Sequence, residues 1–278
     1  MKRVITAAVA LPLLIACILY PPLKLLFVAL AAAALVIALY EFWFLARRVG
    51  AKPDIVVGYA ATAALFVGFI LDAEPLWFVL CVVLLTAGAL VAEMLRGTPF
   101  DKMIVSVGST VLGVLYVVLL GGHLISLRLS FPQPALDHPN SFSISTHLLS
   151  YFFLVLMGSD TGAYYTGRAL GRHKLAPQVS PGKTWEGAFG GMAASLLLAA
   201  LSRYWFFPEI SLAAALALAA VMNVLGVVGD LTESALKRSA KAKDAAQILP
   251  GHGGLLDRLD SLLFNAPLIY YFALYYWR

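Results

Sequence analysis

Charge is what this chain has least of. Only 13% of its 278 residues are Asp, Glu, Lys or Arg, while 61% are hydrophobic. A soluble globular domain carries about 25% charged and about 45–50% apolar residues. The scarcity excludes a single water-soluble core, and the apolar residues instead fall in runs of bilayer-spanning length. Cysteine is nearly absent as well. Cys17 and Cys81 lie far apart inside apolar runs, so they read as small buried hydrophobes rather than a disulfide or metal pair. Internal repeats and a separate soluble domain are also missing, which leaves one membrane-embedded domain over 1–278. The formal charge of +5 does not point to nucleic acid, because the basic residues sit in loops between apolar runs.

Nine spans are expected, near 4–20, 24–45, 55–71, 75–95, 103–127, 147–169, 187–207, 210–229 and 261–277. Helices are the default for such runs, since backbone groups in lipid must pair within their own segment. The expected fold class is therefore all-α and polytopic. Spans up to 127 form an N-terminal portion, and about 147–278 form the portion that carries chemistry. Basic residues test the count. Of the 20 Lys and Arg residues, all but Lys24, Arg128, Arg203 and Arg278 fall on the side of the N-terminus. The positive-inside rule makes that side cytoplasmic. Lys2-Arg3 and the apolar stretch to Ala16 also resemble a signal peptide, and Leu14-Ile15-Ala16-Cys17 looks like a lipoprotein cleavage site. A first helix of a multispan protein shares that design, and it is the reading taken. Ser130 to Thr146, with Pro132, Pro134 and Pro139, reads as an external loop.

The polar information collects in two long loops, near 168–186 and 230–260. Asp230, Ser234 and Lys237 are spaced to share one helix face. Pro250-Gly251-His252-Gly253-Gly254 cannot be regular helix, and its glycines allow backbone N–H groups to approach a phosphate. A second helix then presents Asp257, Asp260 and Ser261 on one face. Carboxylates interleaved with Lys and Arg suit magnesium and nucleotide phosphates; surface ion pairs in a solvated loop are the plainer reading. Asp160 sits well inside the sixth span, where a carboxylate is costly and functional by default, unless it is buried against an arginine or a backbone group. Lys183 reads as a phosphate contact or an interfacial anchor, after a turn at Ser180-Pro181-Gly182. Glu41 and Glu93, near the cytoplasmic ends of their spans, are expected to reach out to water. The aromatic run ending Tyr275-Tyr276-Trp277 reads as an interface belt.

The segment from Ser234 to Asp260 resembles the signature of the phosphatidate cytidylyltransferase (CDP-diacylglycerol synthase) family. The matching positions are Ser234, Lys237, Arg238, Lys243, Asp244, Gly251 to Gly254, Asp257, Arg258 and Asp260, with Ala246 where many members carry glycine or serine. The likeness extends to Ser180-Pro181, Lys183-Thr184 and Glu186-Gly187, and to Asp160 through Tyr164. It implies that phosphatidate attacks the α-phosphorus of CTP and releases pyrophosphate. It also implies that Asp230 and Asp257 hold a metal centre containing magnesium, with a second metal ion left open.

The resemblance further implies catalytic roles for Ser234, Lys237, Arg238 and Asp260. Substrate contacts are expected from Asp160, Lys183, Lys243, Asp244, Gly253, Gly254 and Arg258. His252 would orient a phosphate or hold the turn together. The expected partners are CTP, phosphatidate and the bilayer of a bacterial inner membrane, with the site facing the cytoplasm and a homodimer left open. A CTP-dependent polyprenol kinase is the nearest rival, and it would move the γ- rather than the α-phosphorus into lipid. A secondary transporter coupled through Asp160 is the rival of another class, but the informative polar residues lie at one face rather than at the midplane.

Overall fold

Apolar runs that must satisfy their own backbone in lipid fold as helices. The computed structural model describes residues 2–131, 142–242 and 254–277, the stretch 2–10 by backbone alone. The element order is α1 (Lys2–Leu19), α2 (Lys24–Arg48), α3 (Ile55–Ile70), α4 (Pro75–Leu95), α5 (Phe100–Gly113), a π-helical segment Val114–Leu119, and α6 (Leu120–Ser130). There follow α7 (Ile144–Leu170), β1 (Lys174–Ala176), β2 (Ser180–Thr184), α8 (Trp185–Trp205), α9 (Leu212–Ser239) and α10 (Leu256–Trp277). With Phe100–Ser130 taken as one rod, each expected span coincides with a helix of the described residues. Five helices are both long and apolar enough to cross a membrane: Pro21–Arg48, Pro75–Leu95, Phe100–Ser130, Trp185–Trp205 and Leu212–Ser239. Ile55–Ile70 is apolar but has 16 residues. Leu84, Ile104 and Leu197 are exposed, as a lipid solvent allows. The chain is an integral membrane protein of all-α class.

Ser180-Pro181-Gly182, expected as a turn, lies instead in a strand. β2 pairs antiparallel with β1, Lys174 opposite Thr184 and Ala176 opposite Ser180, with a register irregularity between. Pro181 has no N–H to give, and a two-stranded ribbon can place it on an open edge. Thr184 ends β2 and caps α8, its Oγ1 accepting the N–H of Gly187 at 3.1 Å. Such a cap is worth about 1 kcal/mol.

The chain divides into two compact units, Met1–Leu129 with Leu236–Leu259, and Ser130–Ala235 with Asp260–Arg278. Trp43 anchors the first. It is fully buried, and its Nε1 donates to the carbonyl of Ser109 at 3.2 Å. A Cβ at Gly58 would run into its ring and one at Gly113 would meet Nε1 at 2.7 Å, so two glycines make room for the indole. Nearby, Arg96 joins Asp54 at 2.6 Å and Glu93 at 2.9 Å. Glu93 therefore does not reach for water: it is fully buried, with Thr98 Oγ1 donating to its other oxygen at 2.5 Å.

The second unit is organised by a glycine seam between α7 and α8. A Cβ at Gly162 would lie 2.6 Å from the Cβ of Ala194, and one at Gly187 would lie 2.9 Å from the carbonyl oxygen of Ala163. Without a hydrophobic drive between helices in lipid, small residues that let backbones approach supply the packing. Polar ties add to it: Asn223 Nδ2 donates to Ser159 Oγ at 2.6 Å, and Tyr151 OH to the carbonyl of Ala215 at 2.6 Å. The aromatic end of α10 is only partly a belt. Tyr275 is exposed, whereas Trp277 stacks on the buried Phe207 with ring centroids 5.6 Å apart.

Candidate active site

In the second unit, α7, β2, α9 and α10 bring together five of the expected residues, Asp160, Lys183, Asp230, Ser234 and Asp260. Lys183 Nζ lies 2.5 Å from Asp230 Oδ2. The other oxygen of Asp230 accepts from Ser234 Oγ at 3.3 Å, one helical turn on. Asp160 and Asp260 each feel the charge of Asp230 and of Lys183, and Asp260 also feels Asp160. Asp230 is the ion-pair partner of this ammonium, and with two further carboxylates in electrostatic reach the carboxylates outnumber it. The close approach has a local cause: a Cβ at Gly229 would meet the carbonyl oxygen of Asp260 at 2.5 Å, so only glycine lets the two helices draw near beside their aspartates. Asp260 is held from its own helix, its Oδ1 accepting the N–H of Ser261 at 2.6 Å. Asp160, placed by sequence either in function or in a buried pair, is exposed and faces this carboxylate group.

Lys183 owes its place to the hairpin. Glu186 closes the base, accepting from Nδ1 of His173 at 2.6 Å and from its backbone N–H at 3.2 Å.

In the first unit, Lys237 Nζ donates to Asp257 Oδ1 at 2.7 Å. The second oxygen of Asp257 accepts the N–H of Gly254 at 2.7 Å, the reciprocal half of a capping arrangement at a helix start. The Gly254 N–H, expected near a phosphate, points at Asp257. Arg238 donates to the carbonyl of Ala242 at 3.4 Å, and Arg258 is exposed. Lys243, Asp244, His252 and Gly253 lie outside the described residues. Glu41, expected to reach out to water, is instead fully buried and accepts the N–H groups of Leu255 at 2.9 Å and Leu256 at 2.7 Å. The signal in sequence was the same one that singled out Asp160, a carboxylate in an apolar run. Its closeness to a span end made an outward rotamer the cheaper expectation.

No three His, Cys, Asp or Glu side chains among the described residues converge closely enough to enclose a metal ion. Magnesium does not ask for that, because it usually takes one or two carboxylates and completes its shell with substrate phosphates and water. The hard-oxygen donors and the surplus of carboxylate over ammonium fit such an ion.

These features define an all-α integral membrane protein with a lysine–aspartate ion pair in each of its two units. The chain belongs to the Cytidylyltransferase family, whose family model matches residues 1–276. It is 44% identical over 129 residues to the phosphatidate cytidylyltransferase of Haemophilus influenzae, covering 45% of each chain. It is 35% identical over 202 residues to that of Synechocystis, covering 67% of this chain and 68% of the relative. It is 43% identical over 123 residues to that of Staphylococcus haemolyticus, covering 44% and 47%. The match thus spans about half the length of several of these relatives.

Proposed function

We propose that this protein transfers the cytidylyl group of CTP to phosphatidate, giving CDP-diacylglycerol and pyrophosphate. The observation that carries the reading is the family match over 1–276, with relatives named for this activity. In the step, an anionic oxygen of the phosphatidate phosphate attacks the α-phosphorus of CTP. A P–O bond forms there, the bond to the β-phosphate oxygen breaks, and its electron pair leaves with pyrophosphate. Phosphatidate is already ionised near neutral pH, so no strong general base is required.

Such transfers depend on charge neutralisation and alignment. Lys183 and Lys237 supply ammonium groups for phosphate oxygens, and each is held in place by its aspartate until substrate competes for it. Arg238, Arg258 and the turn that includes Gly254 add donors, and Asp160, Ser234 and Asp260 fix the arrangement around Asp230. The family resemblance assigns magnesium to Asp230 and Asp257; when bound, it would neutralise CTP phosphate charge and orient the leaving group. The asymmetry of basic residues supports nine spans with this chemistry at the cytoplasmic face, and the bacterial relatives support an inner membrane.

The test is purified protein with CTP, phosphatidate and magnesium, product being read by mass spectrometry. The expected result is CDP-diacylglycerol, with α-labelled CTP entering lipid. Transfer of γ-label to lipid would identify a kinase instead, and absence of product from an otherwise folded protein would refute the proposal.

A further inference from the structure

We infer that Glu41 is a positioning residue for Asp257, an inference that rests on the reading of Asp257 as part of the catalytic machinery. The first amides of a helix have no acceptor within it. At the start of α10 these amides find carboxylates. Leu255 and Leu256 donate to the two oxygens of Glu41 at 2.9 and 2.7 Å, and Gly254 donates to Asp257 at 2.7 Å. Local sequence offers no substitute, since Gly254 and Leu255 have none of the oxygen-bearing side chains that cap helices. The helix start is instead fastened by α2, more than two hundred residues earlier in the chain.

Asp257 stands on the turn so fastened. One of its oxygens is committed to the Gly254 N–H and the other to Lys237, so its direction follows the path of the backbone at 254–256. Fraying of that turn would swing the carboxylate away from Lys237. A negative charge at a helix N-terminus also complements the helix dipole. Glu41 is fully buried, and a buried carboxylate is retained only when it is bonded. Its two bonds run to backbone that carries Asp257. Glu93 is an internal contrast: it is equally buried, but its partners are Arg96 and Thr98, close behind it in sequence.

The experiment uses the full chain in lipid nanodiscs, comparing wild type with Glu41→Gln, Glu41→Asp and Glu93→Gln. Gln keeps one acceptor oxygen and turns the other position into a donor that faces an N–H. The Leu255 and Leu256 amides should then exchange hydrogen for deuterium about tenfold faster or more. The magnesium concentration for half-maximal turnover should rise about tenfold or more, the size of effect seen when a group supporting a metal site is lost. Glu41→Asp, which keeps the charge on a shorter arm, should fall between wild type and Glu41→Gln in both readouts. It carries the test if the Gln variant does not fold.

Glu93→Gln should leave both readouts at wild type. Unchanged exchange at Leu255 and Leu256, or faster exchange with unaltered magnesium dependence, would overturn the inference. So would equal changes in Glu93→Gln, which would mean general loosening. Absence of wild-type turnover would sink the proposed reaction rather than the tie, which the exchange measurement decides independently.

Discussion

Lys183 Nζ sits 2.5 Å from Asp230 Oδ2, tying the second strand of a small hairpin to a long membrane helix. The pair shares its surroundings with Asp160 and Asp260, so removing Lys183 leaves the carboxylates without its charge, and neutralising Asp230 leaves Lys183 without its ion-pair partner. Lys183→Met and Asp230→Asn should each cut turnover roughly 10²–10³-fold, by analogy with the loss of a single electrostatic contact to a developing charge. Detergent-purified variants with matched size-exclusion profiles would be assayed with CTP and phosphatidate. Activity within a few-fold of wild type would remove that residue from the site.

Lys237 and Asp257 allow stability to be separated from turnover. Their side chains are 14% and 13% exposed. Lys237→Met should therefore cost more than the ~0–1 kcal/mol of a surface pair and less than the ~3–5 kcal/mol of a broken buried one. Adding Asp257→Asn removes the stranded charge and should recover part of the thermal stability, while turnover stays lost. Recovery of turnover in the double variant would make the pair purely structural.

The seam between α7 and α8 should tolerate no added methyl. Gly162→Ala places a Cβ 2.6 Å from that of Ala194 and 2.9 Å from the carbonyl oxygen of Gly190. Overpacking of this kind costs about 1–3 kcal/mol, read as a lowered unfolding temperature. Gly182→Ala is the control, since nothing lies within 4 Å of its would-be Cβ. An unchanged unfolding temperature in Gly162→Ala would show that the seam can open freely.

Excess chelator should abolish turnover, and added magnesium should restore it, because hard-oxygen carboxylates and CTP phosphates together form the expected coordination. Diacylglycerol should not replace phosphatidate, as it lacks the attacking phosphate oxygen. Robust turnover in chelator contradicts the metal proposal.

Reporter fusions test the topology. A fusion at Lys52 should report cytoplasm, and fusions at Asp137 and Arg278 the opposite side, as the basic residues require. A cytoplasmic signal at either of the latter two positions would overturn the nine-span arrangement.

What the sequence determined by itself was the solvent, the element class and the chemistry's vocabulary. Long apolar runs demand helices because lipid offers the backbone no partners, and each expected span is a helix. The signature around Asp230, Lys237, Asp257 and Asp260 was legible because its residue types and spacings lie close together in the chain. Tertiary structure decided what depends on contacts between distant segments. It made a strand of Ser180–Thr184 by pairing it with Lys174–Ala176, which brings Lys183 to Asp230. It also turned Glu41 inward, where the amides of Leu255 and Leu256 offset the cost of burying a charge. Spacing within a helix can be read from one segment alone, but whether a carboxylate finds water or a distant backbone amide is settled only when the other segment arrives.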